Sequence, residues 1–137
     1  MIYITRKETF SAAHRLSRPD WPEEQNREVF GKCSNPNWHG HNYELYVTVK
    51  GEVSPENGFV ANLSEVSAVI KTYVLDKVDH RNLNLDVDFM QGKYTSTEVL
   101  AIEIWKQLEK PIRDLGCTLH GVKIQETAKN FVEYFGD

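Results

Sequence analysis

The segment His39-Gly40-His41 opens a run in which Tyr43, Leu45, Val47 and Val49 alternate with Asn42, Glu44, Thr48 and Lys50, and this run constrains the fold more than any other stretch. Period-two alternation marks a β-strand with one buried face, so the chain must build a sheet with a covered side. Residues two apart on a strand share a face. His39 and His41 therefore project together, at metal-ligand spacing, from the mouth of an apolar surface. Cys33 precedes them on a Gly/Asn/Pro loop, which puts one thiol and two imidazoles within nine residues.

The remainder of the chain reads as scaffold around that stretch. Residues 2 to 14 also alternate, with Ile2, Ile4, Phe10 and Ala12 on the parity of His14, and predict a first strand that ends in a third histidine. Arg15 to Asn37, with Pro19, Pro22 and Pro36, reads as a long loop with a helical turn at Glu23 to Val29. Loops of this length in a compact domain are usually functional. The second strand is expected from His39 to Glu52, followed by a tight turn at Asn57-Gly58. Asn62 and Glu65 stand at capping-box spacing, and Val66, Ile70, Val74 and Val78 then mark a helix ending near Asp79-His80. After an irregular stretch from Arg81 to Tyr94, Thr95-Ser96-Thr97-Glu98 reads as a second capping box. Leu100, Ile104, Leu108 and Ile112 continue it as a second helix, stopped by Gly116. Thr118 to Glu126 and Asn130 to Phe135 close the chain as two β-segments, giving the order ββααββ. The expected class is α+β, helices on one face of an antiparallel sheet.

With 137 residues and 40% apolar content the chain is expected to be one domain, residues 1–137, with a core that needs no disulfide staple. A net charge of -4 and singly scattered basic residues exclude nucleic acid as the main partner. Cys33 and Cys117 sit in dissimilar surroundings and are read as unpaired, as in a reducing compartment. No apolar run reaches the roughly 20 residues a bilayer requires. Met-Ile-Tyr-Ile-Thr-Arg-Lys carries no signal-peptide pattern, so a cytoplasmic protein without membrane contact is expected.

If the first two strands pair as a hairpin, His14, His39 and His41 converge. Three neutral imidazoles with one position left open are a ligand pattern of catalytic zinc. Two plainer readings stand beside it: ordinary core or surface histidines, or a closed structural site in which Cys33 is the fourth ligand. Lys32 beside Cys33 is compatible with a lowered thiol pKa and a reactive role. Asp79-His80 joins a carboxylate to an imidazole, the make-up of an acid/base pair, although His80 capping a helix end is as simple. Glu126 shares parity with the apolar Val122 and Ile124, so its carboxylate needs a partner; it can accept a pair of hydrogen bonds from the N–H/NH2 edge of a guanine-like ring. The alternative is a salt bridge or an exposed strand end.

Six stretches together carry a resemblance along the whole chain: Phe10 to Leu16, Phe30 to Tyr43, Gly58 to Leu63, Leu75 to Asn84, Thr95 to Glu98, and Gln125 to Thr127. The sequence resembles the 6-pyruvoyltetrahydropterin synthase and 6-carboxytetrahydropterin synthase family. The resemblance implies a T-fold, a four-stranded antiparallel sheet with two helices on one side, assembling into barrels as a hexamer made of two trimers. It implies zinc on His14, His39 and His41, and 7,8-dihydroneopterin triphosphate as substrate. It further implies Cys33 as the proton-moving residue assisted by Asp79 and His80, with Glu126 anchoring the pterin ring and Thr97 lining its pocket. Lys32, Lys77 and Arg81 are candidates for the triphosphate. Two products occur in the family. Five residues separate Cys33 from His39, which resembles the pyruvoyl-forming branch of tetrahydrobiopterin biosynthesis; the carboxy-forming branch, which releases acetaldehyde in 7-deazaguanine (queuosine) biosynthesis, usually has a shorter gap. Ala61 departs from the Met associated with the pyruvoyl-forming branch. A third reading, of another class, is a non-catalytic zinc-stabilised pterin-binding protein.

Overall fold

Strand β1 (Ile2–His14) lies antiparallel to β2 (His39–Gly51) in unbroken register, from Ile2 opposite Gly51 to His14 opposite His39. This is the expected hairpin across the long loop, seen in a computed structural model that describes all of residues 1–137. On its other side β2 pairs with β4 (Thr118–Thr127), and β4 pairs with β5 (Asn130–Tyr134), all antiparallel. Tyr43, Leu45, Val47 and Val49 are at most 1% exposed, so the alternation in β2 does face a core.

Two helical stretches cover that face. The first begins as α2 (Leu63–Ile70), runs through a π-helical stretch at Lys71–Leu75 and ends in α3 (Asp76–Val78). The Asn62 side chain caps α2 by accepting a hydrogen bond from the Ser64 N–H at 2.9 Å, and the stripe Val66, Ile70, Val74 and Val78 is fully buried. The second, α4 (Thr97–Asp114), buries Leu100, Ile104, Leu108 and Ile112. Its only buried charge, Glu103, is compensated by Lys106 at 2.8 Å and Lys93 at 3.3 Å.

The structure differs from expectation in three places. A fifth strand, β3 (Arg81–Asn82), adds to the outer edge of β1 in parallel, giving a mixed sheet of order β3-β1-β2-β4-β5. Two residues carry no period to read; they are placed by bonds from His80 N–H to Ser11 O and from Leu83 N–H to Ala13 O. The cap of α4 is Ser96, whose hydroxyl accepts from Val99 N–H at 3.3 Å. Thr95 is thereby released to bond Arg15 O and Asn84 Oδ1. Finally, the turn expected at Glu23 to Val29 is a full helix, α1 (Glu23–Phe30), running into a 3-10 turn, Gly31–Ser34, that carries Cys33. Asn26 anchors it, its amide bonding both the N–H and the C=O of Arg18.

Candidate active site

The β1–β2 register sets His14 opposite His39, and strand periodicity puts His41 on the same face. The ring centroids lie 4.5 Å (His14–His39), 5.0 Å (His39–His41) and 5.2 Å (His14–His41) apart. One ligand nitrogen from each of the three falls within 4.8 Å of the others. His14 Nδ1 lies 2.7 Å from Thr95 O, and because a carbonyl only accepts, that nitrogen carries the proton. The tautomer leaves Nε2 with a free lone pair. His14 Nε2, His39 Nδ1 and His41 Nε2 are buried without a hydrogen-bond partner.

Buried polar atoms are rarely left unpaired, and three converging lone pairs are what a cation satisfies. Burial lowers the pKa of His14, outweighing the opposing pull of the Thr95 carbonyl, and burial likewise lowers that of His39. Both imidazoles are therefore held neutral, the form that binds metal. Cys33 stands outside the histidine group, so the four-ligand closed site is not formed here. The donor set fits a zinc ion with an open position.

In front of the histidines lies a cavity of about 930 Å3, lined by Cys33, His39, His41 and Glu126. Glu126 Oε1 lies 3.6 Å from His41 Nε2, and its Oε2 accepts a hydrogen bond from Thr97 Oγ1 at the start of α4. The partner that the parity of Glu126 demands is thus Thr97. The Cys33 thiol does not behave as its neighbour Lys32 led one to expect. Burial, and then the negative charge of Glu126, push its pKa upward.

Asp79 and His80 form the expected pair, with Asp79 Oδ1 3.0 Å from His80 Nδ1. Asp79 Oδ1 also accepts the Ser11 N–H at 2.9 Å, and that bond first of all holds its carboxyl below the ordinary carboxylate range. His80 lines a second cavity of about 560 Å3 that shares only Gly40 and His41 with the first. Within one chain, then, His80 lines a different opening from Cys33. The His80 side chain is 82% exposed.

A model of the family 6-pyruvoyl tetrahydropterin synthase matches residues 3–137. The chain belongs to this family. It is 43% identical to 6-pyruvoyl tetrahydrobiopterin synthase of Drosophila melanogaster, covering 99% of this chain and 80% of the relative. The Dictyostelium discoideum protein of the same name is also 43% identical, with 99% and 97% covered. Among solved structures, 6-pyruvoyl tetrahydropterin synthase of Caenorhabditis elegans superposes with a TM-score of 0.91 at 40% identity, over 99% of this chain and 96% of that one.

Relative to the family pattern expected from sequence, the structure moves some residues away from the main cavity and adds others. Lys77 lies 3.8 Å from Asp88 and Arg81 lines the second cavity, so neither lines the main one. Lys32 does, and so do Arg15 and Arg27, which sequence reasoning missed. Arg15 follows His14 directly and Arg27 rides on α1, a helix the sequence showed only as a turn. Tyr43 was also missed. Its hydroxyl is buried and unpartnered, and burial drives its pKa upward, so it stays a neutral donor.

The raised thiol gives a direct expectation. In the metal-free synthase, the rate of iodoacetamide alkylation of Cys33 rises with a midpoint above that of free cysteine, roughly pH 8.5. Loading zinc brings a positive charge close by and moves the midpoint down. A pH–rate series on apo and zinc-loaded protein measures both. A midpoint below the free-thiol value in the apo protein would contradict the assignment.

Proposed function

We propose that this synthase is a zinc-dependent carbon–oxygen lyase that converts 7,8-dihydroneopterin triphosphate to 6-pyruvoyltetrahydropterin with loss of triphosphate. The observation that carries this reading is a group of three converging imidazoles without hydrogen-bond partners at their inner nitrogens, two of which line one cavity with a thiol and a hydrogen-bonded carboxylate. Zinc on His14, His39 and His41 supplies Lewis acidity that makes the side-chain hydroxyls, and the C–H bonds beside them, more acidic.

Glu126 takes the N–H/NH2 edge of the pterin ring, with Thr97 holding one carboxylate oxygen in place. Cys33 lies beside the side chain of the bound substrate and moves its protons. Its high resting pKa makes the thiol an adequate donor, and the zinc charge makes it an accessible base. The pterin ring is reduced as the side chain is oxidised, so electrons balance within one molecule and no nicotinamide is required. Asp79 and His80 complete the proton path from a neighbouring subunit. His80 is exposed in the single chain, with its partner carboxylate already ionised, and is free to face a second copy. The assembly is the hexamer of two trimers implied by the family likeness, working in the cytoplasm. An apolar groove lined by Ile2, Phe59 and Leu63, each at least 39% exposed, is surface that such assembly would cover.

The test is a product analysis with zinc-loaded protein and 7,8-dihydroneopterin triphosphate. Release of triphosphate without acetaldehyde is expected. Acetaldehyde in proportion to triphosphate would move the protein to the carboxy-forming branch, and absence of turnover would leave a zinc-stabilised pterin binder.

A further inference from the structure

The end of β1 is held along its outer edge by a single stretch of chain, and two side chains of that stretch, Asn84 and Thr95, continue the hold where backbone pairing stops. Arg81 and Asn82 pair in register with Ala12 and Ala13, and Leu83 N–H donates to Ala13 O at 2.8 Å. At Arg15 the side-chain amide of Asn84 takes over. Its Oδ1 accepts the Arg15 N–H and its Nδ2 donates to the Arg15 C=O, both at 3.0 Å. A primary amide presents a donor and an acceptor side by side, so it extends the pairing by one residue without extending the strand.

Thr95 closes this network from the other side. It is buried, and its Oγ1 lies 3.2 Å from Arg15 O and 3.0 Å from Asn84 Oδ1, so one hydroxyl proton serves two acceptors. Its backbone carbonyl accepts the Nδ1–H of His14 at 2.7 Å, which fixes the tautomer and orients the ring. Arg15 carries the connection on to the thiol: its Nε donates to Ser34 O at 2.9 Å, and the next N–H, that of Leu16, donates to Cys33 O at 2.8 Å. Two residues beyond Thr95, Thr97 Oγ1 donates to Glu126 Oε2. An imidazole, the thiol turn and the carboxylate thus stand on one hydrogen-bonded hub, whose members Asn84 and Thr95 do not themselves line the cavity. Functional groups have to be held within about 0.5 Å of their working geometry, and segments without regular structure reach that only when their polar groups are locked.

We propose that Asn84 and Thr95 are positioning residues, which hold the His14 ring in the orientation a metal ion needs and fix its placement relative to the Cys33 turn. This rests on the three-histidine metal site, and the experiment separates the two. Zinc affinity of the full chain is measured by competition with a chromophoric chelator, below the unfolding temperature of each variant, together with the visible spectrum of the cobalt-substituted protein. Thr95→Val removes the hydroxyl at nearly constant volume and is expected to weaken zinc binding by about 10-fold, the low end of the loss for an outer partner of a metal ligand, and to alter the cobalt spectrum. Thr95→Ser keeps the hydroxyl and is expected to restore both to wild-type values. Asn84→Leu leaves the Arg15 N–H and C=O without the amide and is expected to weaken zinc binding by roughly 10- to 100-fold. Wild-type zinc affinity and cobalt spectrum in Thr95→Val and Asn84→Leu, whatever their melting temperatures, would make the hub a matter of stability alone and overturn the proposal. A Thr95→Ser variant that loses as much affinity as Thr95→Val overturns it too, and this pair decides the matter if Asn84→Leu does not fold. Wild type that takes up no zinc removes the histidine site, and the proposal with it, whereas zinc uptake that the variants leave untouched removes only the hub.

Discussion

Alanine in place of His41 is expected to strip the protein of zinc and of activity together while leaving the fold in place. His41 Nε2 is one of three buried imidazole nitrogens without a hydrogen bond, so the side chain contributes little to the metal-free protein beyond its contacts with neighbouring rings and with Glu126 Oε1 at 3.6 Å. Its Cα faces Ala12 across the β1–β2 ladder, where an alanine pairs as readily. Two imidazoles remain, one fewer than an open catalytic zinc site uses. Zinc affinity is therefore expected to fall by more than the roughly 10- to 100-fold lost when an outer partner of a metal ligand is removed. Metal content after dialysis and competition with a chromophoric chelator measure the loss. Thermal unfolding of the two apo proteins shows whether the strand survives. Stoichiometric zinc in the alanine variant would remove the histidine site from the account.

Why the histidines were legible in sequence and other groups were not follows from how each is placed. His39 and His41 sit on a strand whose period is printed in Tyr43, Leu45, Val47 and Val49, and His14 follows from the same parity on β1. Alternation fixes the face of a side chain without any knowledge of its neighbours. The Asp79–His80 contact was equally visible because it is local, but the side of the sheet edge it faces was not. That is decided by the bond from Ser11 N–H, 68 residues away in sequence. Which cations line the main cavity was hidden for a related reason. Lys77 and Arg81 are near His80 in sequence, whereas Arg15 and Arg27 come to Cys33 through α1 and the Leu16–Cys33 bond. Helix α1 carries Asn26 as its one buried residue, so no apolar stripe announced it. The upward shift of the Cys33 thiol arises from burial and from Glu126, on a strand more than ninety residues later, and adjacent Lys32 gave the wrong sign. Two residues hold positive φ without being glycine, Trp38 at 69° and His80 at 59°, and each adjoins a site residue. Such conformations persist where surrounding structure enforces them, and no local pattern reveals them.

Replacing Cys33 with Ala is expected to abolish most turnover while zinc stays bound. The thiol lies outside the group of three histidines, so its loss leaves every metal ligand and the bond from His14 to Thr95 O untouched. What disappears is the group proposed to move a proton beside the substrate, a contribution typically worth about 10²- to 10⁴-fold in rate. The substrate KM is expected to change little, because in the proposed reading the ring is held elsewhere, by Glu126 with its Thr97 partner. Zinc content, kcat and KM measured on one preparation separate three accounts of the protein. Zinc retained with kcat down by two or more decades is the catalytic outcome. Zinc lost together with thermal stability would make Cys33 a ligand and the site structural, against the geometry. Zinc retained with kcat unchanged would shift the proton chemistry onto the Asp79–His80 pair, and would make the thiol an ordinary wall of the cavity.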